Sequence, residues 1–348
     1  MSPEVTAAVI AASVSVLTLI GTLAAQYFGR RATSRDTQKT LAEQGKQLDR
    51  TLAEQGKQLD RTLAEQRTRT LNERFATAAG QLGDDKPPTV RLAGVYAMAG
   101  LADDWPENRQ TCVDVLCGYL RMPSGPDPGP DALEPERLAF RASREVRHTV
   151  IRVITAHLQK DKDAAMSWQG LNFDFTGAVF DGGDFGGAVF SGGEVSFDRA
   201  RFSGGEVYFV DAVFSGGTVN FGAKFSGGEV YFARAAFSGS TVDFKGAVFS
   251  DGAVYFSGTV FSGGRVSFKG AMFLGGTVFF SAVFSGGTVS FGAVFSGGTV
   301  DFARAVFSGG TVDFSDPGDW SFPPEFPWTD TPPPGVKLPK KKEDQSQA

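Results

Sequence analysis

Residues 188–202 read AVFSGGEVSFDRARF, and variants of this string fill the second half of the chain. Phe190 and Phe197 are seven residues apart, and Phe202 follows five residues later. Eleven such units run in succession, with first phenylalanines at positions 190, 202, 214, 225, 237, 249, 261, 273, 284, 295 and 307. The five-residue step shrinks to four only after Phe221, Phe280 and Phe291. This fixed period predicts a repeat architecture.

Short strands explain the spacing, because side chains alternate between the two faces of a strand. In Val-x-Phe and Ala-x-Phe the outer two residues point inward and the middle one outward, and Gly-rich corners that tolerate positive φ separate the strands. Four sides make a coil of about 24 residues. Counting from Phe175 to Phe314 gives 25 strand centres, hence about six coils and roughly 30 Å of rise. A meander of hairpins is the alternative, since Gly-Gly is also a hairpin signal.

The residue between Val and Phe tests the coil length independently. It is aromatic in every second unit from the one at Phe202 to the one at Phe273, as Tyr208, Tyr231, Tyr255 and Phe279, while the units between carry Ser, Asn or Asp. An aromatic residue at every 23 or 24 positions is expected if two units form one coil and like residues stack.

The start of the tract has a stricter five-residue pattern at Phe175, Phe180, Phe185 and Phe190, with Ala178 two residues before Phe180. The preceding segment, RFATAAGQLGDDKPPTVRLAGVYAMAGLADDWPENRQTCVDVLCGYLR at 74–121, resembles the helical region of membrane-anchored bacterial pentapeptide-repeat proteins. The resemblance implies an α + β chain that ends in a right-handed quadrilateral β-helix, and it implies no activity.

The N-terminal part predicts an anchor and a stalk. After a short segment at 1–4, residues 5–28 carry no charge and are long enough for a transmembrane helix. A signal peptide is the alternative, although its basic opening is absent. Arg30, Arg31 and Arg35 follow the span, which predicts a single-pass protein of the cell membrane with its C-terminal bulk in the cytoplasm.

Residues 32–73 form the predicted coiled-coil-like stalk. TLAEQGKQLDR at 40–50 recurs at 51–61, and this 11-residue period places one stripe of leucines on a helix. We expect self-association through the stalk as a parallel oligomer, and a solvated charged linker is the alternative. A helical domain at 74–166 and the β-helix at 170–316 follow, and a Pro-rich cap with a disordered basic tail takes up 317–348.

Composition excludes several classes of function. The net charge of -5 disfavours nucleic acid as a partner. Cys112 and Cys117 have no metal-ligand spacing around them, and His148 and His157 have no nucleophile or acidic pair arranged beside them. We therefore predict no catalytic residue, no cofactor and no metal site, and two buried, reduced thiols.

Two outward ladders are the candidate interaction surface. The aromatic ladder is Tyr208, Tyr231, Tyr255 and Phe279, and the valine stripe is Val189, Val213, Ala236, Val260, Val283 and Val306. A contiguous apolar strip usually marks a contact. We expect homodimerisation or a protein partner, which the sequence does not identify, to cover the valine stripe. Together with the predicted anchor, the ladders predict a membrane-anchored, non-enzymatic scaffold. The alternatives are a DNA mimic of the kind that inhibits topoisomerases, which requires a densely acidic surface, and a β-helix enzyme acting on polysaccharide.

Overall fold

The computed structural model describes residues 3–83, 85–123, 125 and 127–340, and before residue 37 it describes only the side chains of residues 15 and 18–28. The chain divides into two compact units, residues 1–70 and residues 71–348. The basic tail predicted beyond residue 340 lies outside the described residues.

The first unit is part of one long helix, α1 (Pro3–Gln81). The leucines of its 11-residue repeats are between 54% and 63% exposed. Among the described residues, no helix is both long and apolar enough to cross a membrane. The predicted transmembrane helix at residues 5–28 is therefore not supported, and the side chains of residues 5–14, 16 and 17 lie outside the described set.

The helical part of the second unit comprises α2 (Pro88–Asp104), a 3-10 turn (Pro106–Asn108), α3 (Arg109–Arg121) and α4 (Glu134–Leu158). Proline begins α2, where its missing N–H is harmless. Val95, Met98 and Leu101 are fully buried, as their spacing predicts. Tyr96 is 60% exposed, because a residue next to Val95 points about 100° away around the helix.

Nineteen strands follow between residues 173 and 340. They are β1 (Phe173–Asp174), β2 (Val179–Phe180), β3 (Gly183–Asp184), β4 (Val189–Ser196), β5 (Arg201–Tyr208), β6 (Val213–Asn220), β7 (Lys224–Tyr231), β8 (Ala236–Phe237), β9 (Thr241–Asp243), β10 (Val248–Tyr255), β11 (Val260–Phe261), β12 (Arg265–Ser267), β13 (Met272–Phe273), β14 (Thr277–Phe279), β15 (Val283–Ser290), β16 (Val294–Phe295), β17 (Thr299–Asp301), β18 (Val306–Asp313) and β19 (Val336–Lys337).

The strands form two sheets, and every described pairing between them is parallel. Sheet I contains β1, β4, β6, β8, β9, β11, β12, β15, β18 and β19, and sheet II contains the other nine strands. Each strand pairs with the strand two units away, as when Val189 aligns with Val213 and Arg201 with Lys224. The β-helix is confirmed and the meander is wrong, because hairpins would give antiparallel neighbours.

The core of the β-helix is built around four columns of stacked phenylalanines. Within a column, rings of successive coils have centroids 4.4 to 5.1 Å apart. Their members are Phe175, Phe197, Phe221, Phe244, Phe268, Phe291 and Phe314 in the first column, Phe180, Phe202, Phe225, Phe249, Phe273 and Phe295 in the second, Phe185, Phe209, Phe232, Phe256, Phe280 and Phe302 in the third, and Phe190, Phe214, Phe237, Phe261, Phe284 and Phe307 in the fourth. Four columns per turn match the four predicted sides.

The Ser-Gly-Gly segments differ from the prediction of plain corners. In β4, β5, β6, β7, β15 and β18, and through Ser-Asp-Gly in β10, one eight-residue strand runs through the segment with shifts of register. The second glycine explains the shift. Gly217 has φ +70°, and a Cβ there would lie 2.1 Å from the carbonyl oxygen of Gly193 in the preceding coil. No other residue fits that position.

Both ends of the β-helix are covered. At the start, Thr155 Oγ1 and Gln159 Nε2 in α4 donate to the carbonyl oxygens of Asp184 and Gly186 at 2.9 and 2.7 Å. At the other end the Pro-rich segment adds a seventh turn that the phenylalanine count did not predict. The amide of Phe302 donates to Glu325 O and that of Phe314 to Lys337 O, at 2.7 and 2.8 Å.

Candidate functional site

The aromatic ladder lies on the outer side of sheet II, one residue before the third phenylalanine column. Tyr208 aligns with Tyr231, Tyr231 with Tyr255, and Tyr255 with Phe279 in successive coils. Their rings are stacked, with centroids 5.2, 4.9 and 5.2 Å apart and planes within 13° of parallel. All four side chains are partly exposed. The structure therefore brings the four predicted ladder residues together.

Outside the ladder, the residue between Val and Phe in most repeats accepts a hydrogen bond that closes the following corner of the coil. In sheet I, Asp174, Asn220, Asp243 and Asp313 each accept a hydrogen bond from the amide two residues later, at 2.8 to 3.0 Å. Ser196 and Ser267 accept the same bond at 3.3 Å. These side chains close the corner as Asx and Ser turns do. The polar side chains at these six positions of sheet I are thus explained by the fold.

The ladder interrupts this pattern within its own column. Asp184 below it and Asp301 above it accept the corner amides of Gly186 and Ala303 at 2.7 and 2.6 Å. Asp184 aligns with Tyr208, and Phe279 with Asp301. An aromatic ring offers no such acceptor for the corner amide. Four consecutive coils therefore replace the corner acceptor with partly exposed rings.

Two glutamates border the ladder. The Tyr208 hydroxyl donates to Glu206 and the Tyr231 hydroxyl to Glu229, and Tyr255 also reaches Glu229 at 3.3 Å. These hydrogen bonds hold the phenol protons, so the carboxylates raise the pKa of Tyr208 and Tyr231 above the usual value. Burial and Glu229 raise the pKa of Tyr255 in the same direction. The ladder thus combines aromatic rings with negative charge.

The valine stripe lies on sheet I. Val189, Val213 and Ala236 align in successive coils, and Val260, Val283 and Val306 continue the column. Val306 at its end is 52% exposed and the others are partly exposed. The predicted stripe exists as a continuous apolar line, one side of the coil away from the aromatic ladder.

The two histidines and two cysteines lie in the helical part. His157 stacks on Trp168 at 4.0 Å and its Nε2 is 3.1 Å from Asp103, while His148 Nε2 is 3.2 Å from Asp181. Both cysteines are free and buried, and burial raises the pKa of the Cys112 thiol to about 11. Within the described ranges, no group of three or more His, Cys, Asp or Glu side chains could hold a metal ion.

Sequence reasoning missed a cavity of about 270 Å³ where α4 meets the first coil. Its polar lining includes Arg144, whose Nε is 3.2 Å from Asp181. Arg144 and Arg147, the two arginines that line the cavity, already donate hydrogen bonds to backbone carbonyl oxygens. No periodic signal marks this site, because α4 and the repeats belong to different patterns. The lining includes Glu136, Phe140, Ser143, Arg144, Arg147 and Asp181.

Comparison with known proteins gives one match. A family model described as pentapeptide repeats (9 copies) matches residues 175–223 and 221–272, which form about the first two thirds of the β-helix and carry most of the aromatic ladder. No curated protein and no solved structure matches the chain.

Proposed function

Because this chain is a pentapeptide-repeat protein, we propose that it is a non-enzymatic scaffold that binds a protein partner through the aromatic ladder of sheet II. A β-solenoid of this family suggests a protein-interaction module in general. The ladder supports the finer assignment, because four coils carry partly exposed aromatic residues where neighbouring coils carry a corner acceptor. Tyrosine is among the residues that dominate protein interfaces.

The charge pattern argues against the two alternatives. Residues 170–316 contain 13 acidic and 8 basic residues, which is too mixed for a mimic of duplex DNA. A polysaccharide-cleaving enzyme needs two carboxyl groups facing one bond. Glu206 and Glu229 are neighbours in successive coils, but both are hydrogen-bonded to ladder tyrosines.

Site-specific photocrosslinking in native cells tests the scaffold. A benzophenone amino acid replaces Tyr231 or Tyr255 in the full chain, and Asn220 or Ser267 on sheet I serves as the matched control. We expect discrete covalent adducts with another polypeptide from the ladder positions only. Adducts of equal yield from sheet I, or none from the ladder, would rule the proposal out.

Self-association through the stalk is a separate proposal. Leu41, Leu48, Leu52, Leu59 and Leu63 form one exposed stripe on α1, and a lone helix gains nothing from exposing them. Gly45 and Gly56 each weaken the isolated helix by about 1 kcal/mol, so packing of a second helix on the stripe would offset that loss.

Analytical ultracentrifugation of the full chain over a dilution series tests the stalk. We expect Leu52→Lys with Leu59→Lys to shift dissociation to higher protein concentration, and Gln47→Lys with Gln58→Lys to leave it unchanged. Equal dissociation of both variants, or helicity independent of concentration in the wild type, would mean a solvated linker instead.

The anchor at residues 5–28 is proposed from sequence, since these 24 residues contain no charge and basic residues follow them. Alkaline extraction removes peripheral proteins from membranes and leaves integral ones. We expect the full chain in the pellet and a chain lacking residues 5–28 in the supernatant. The full chain in the supernatant would refute the anchor without touching the scaffold.

A further inference from the structure

One side of the β-helix combines a cluster of exposed cations, most of them without an ion pair in the described part of the chain, with outward apolar residues. We propose that this side binds the surface of an anionic lipid bilayer. We call it the basic side. In four successive coils it consists of the outward residue that precedes each phenylalanine of the second column and of the corner before that residue. It also includes Leu274, which directly follows Phe273 of that column. Its cations are Arg199, Arg201, Lys224, Lys245 and Lys269.

The register places these cations in line. Arg201 aligns with Lys224, Lys224 with Val248, and Val248 with Met272. Asp243 aligns with Ser267, so Lys245 and Lys269, two residues further along, occupy successive corners next to Val248 and Met272. Each coil from the second to the fifth therefore contributes at least one cation, over a length of about 15 Å.

These cations are exposed and mostly uncompensated. Arg199 pairs with Asp198 at 3.1 Å. Within the described part of the chain, Arg201, Lys224, Lys245 and Lys269 form no ion pair. Five of the eight basic residues at 170–316 lie on this side, although the whole chain is acidic. The clustering gives one side a positive field that the net charge conceals.

Two bulky apolar residues on the basic side, Met272 and Leu274, are the second observation that supports a membrane contact. Leu274 is 46% exposed, whereas the same position is Ser in ten other units. Its neighbour Met272 replaces the valine that precedes and follows it in the column. Neither change improves the core, because both side chains point outward. Leu274 and Met272 are therefore placed to contact something outside the molecule.

Cations beside bulky apolar residues match the chemistry of an anionic membrane interface. Each Lys or Arg near such a surface contributes about 1 kcal/mol, and an exposed Leu gains by entering the headgroup region. A bilayer presents continuous negative charge and accepts a row of lysines without a matching register. An acidic protein would need carboxylates at the coil spacing as well as a pocket for Leu274.

The basic side is distinct from the aromatic ladder, which follows the third column, so the two proposals stand or fall separately. A fluorescent reporter tests the membrane contact in the full chain. An NBD label on Ser296→Cys lies in the coil next to Leu274, and Ser262→Cys at the same repeat position of sheet I is the control. Cys112 and Cys117 are buried, so the label should not react with them.

Vesicles of phosphatidylcholine give the baseline, whether or not the N-terminus anchors the chain. Adding phosphatidylserine should blue-shift the Ser296→Cys label and leave the Ser262→Cys label unchanged, and high salt should reverse the shift. Lys224→Gln with Lys245→Gln should weaken phosphatidylserine-dependent partitioning on the order of 30-fold. Arg265→Gln with Arg304→Gln removes equal charge elsewhere and should not weaken it.

Three results would overturn the membrane contact. They are no phosphatidylserine-dependent shift at Ser296→Cys, an equal shift at Ser262→Cys, and equal losses from the two Gln pairs. Saturable binding of soluble polyglutamate without a vesicle response would assign the basic side to an acidic polypeptide instead. Circular dichroism of each variant confirms that the β-helix is intact.

Discussion

Arg147 in the middle of α4 donates from Nη2 to the carbonyl oxygen of Val179 in the first coil at 2.8 Å, and from the same nitrogen to Leu120 O at 2.9 Å. The side chain is only 6% exposed. Burial lowers the pKa of this guanidinium from its usual value, but an arginine stays charged. One buried cation thus joins α3, α4 and the open edge of sheet II.

Arg147→Met should destabilise the second unit by at least about 2 kcal/mol, because two buried carbonyls lose their donor. Arg141→Met on the same helix changes an exposed residue and should stay within about 0.5 kcal/mol of the wild type. Chemical denaturation followed by circular dichroism measures both. Equal midpoints for the two variants would show that the junction does not depend on Arg147.

Replacing either of two adjacent glycines with alanine should change the stability of the protein in opposite directions. At Gly205, φ is +63° and a Cβ would lie 2.3 Å from the carbonyl oxygen of Asp181, whereas a Cβ at Gly204 meets nothing within 4 Å. Gly205→Ala should cost about 2 kcal/mol or more. Gly204→Ala should be neutral or stabilise by up to about 1 kcal/mol. Thermal unfolding measures the pair, and a larger loss at Gly204 would contradict the strand geometry.

The β-helix could be predicted because the same short pattern of inward and outward residues recurs in every coil. Since one coil takes about 24 residues, the sequence positions of Tyr208 and Tyr231 alone indicated their stacking. The seventh turn could not be predicted this way. Phe326 stacks on Phe302 at 5.6 Å, 24 residues away, but the prolines around it remove the pattern. Phe322, which lies in the segment predicted to form the cap, is 57% exposed.

The candidate site was predicted only in part, for a related reason. Periodicity identifies which residues point outward, as it did for Val213 and Tyr255. It does not say that Asp243 closes a corner or that Glu229 holds two phenols, since these depend on side-chain reach between residues. Lys245 and Lys269 were missed because corner residues have no fixed inward or outward phase.

Removing the hydrogen bond to Glu229 should lower the pKa of the ladder phenols. In Glu229→Gln, ultraviolet titration should show Tyr231 and Tyr255 ionising at lower pH than in the wild type, because the carboxylate no longer holds the proton. Glu194→Gln is the control, since Glu194 has the same repeat position on sheet I. Identical titrations of the two variants would mean that Glu229 does not contact the ladder in solution.

The raised pKa of Tyr231 makes the free energy of unfolding depend on pH. The folded-state pKa of Tyr231 lies above the unfolded value, so its contribution is complete below the unfolded pKa of about 10. It is lost as the pH rises beyond that value, because the unfolded chain then releases a proton that the folded one retains. Glu229→Gln should therefore show a shallower loss of stability above about pH 10 than the wild type.

The Pro-rich seventh turn should protect the last coil from pairing with another molecule. Phe314 N and Phe302 N, at that edge, donate to Lys337 O and Glu325 O. Trp328 packs edge-on against Phe307 with centroids 5.2 Å apart. Ending the chain after Ser315 would expose these amides and the ends of four Phe columns, and a bare sheet edge is a template for further strands. Light scattering should then detect end-to-end oligomers that grow with concentration. A chain ending after Lys340 keeps the seventh turn and should scatter like the full chain, so equal scattering by both truncations would show that the prolines do not guard the edge.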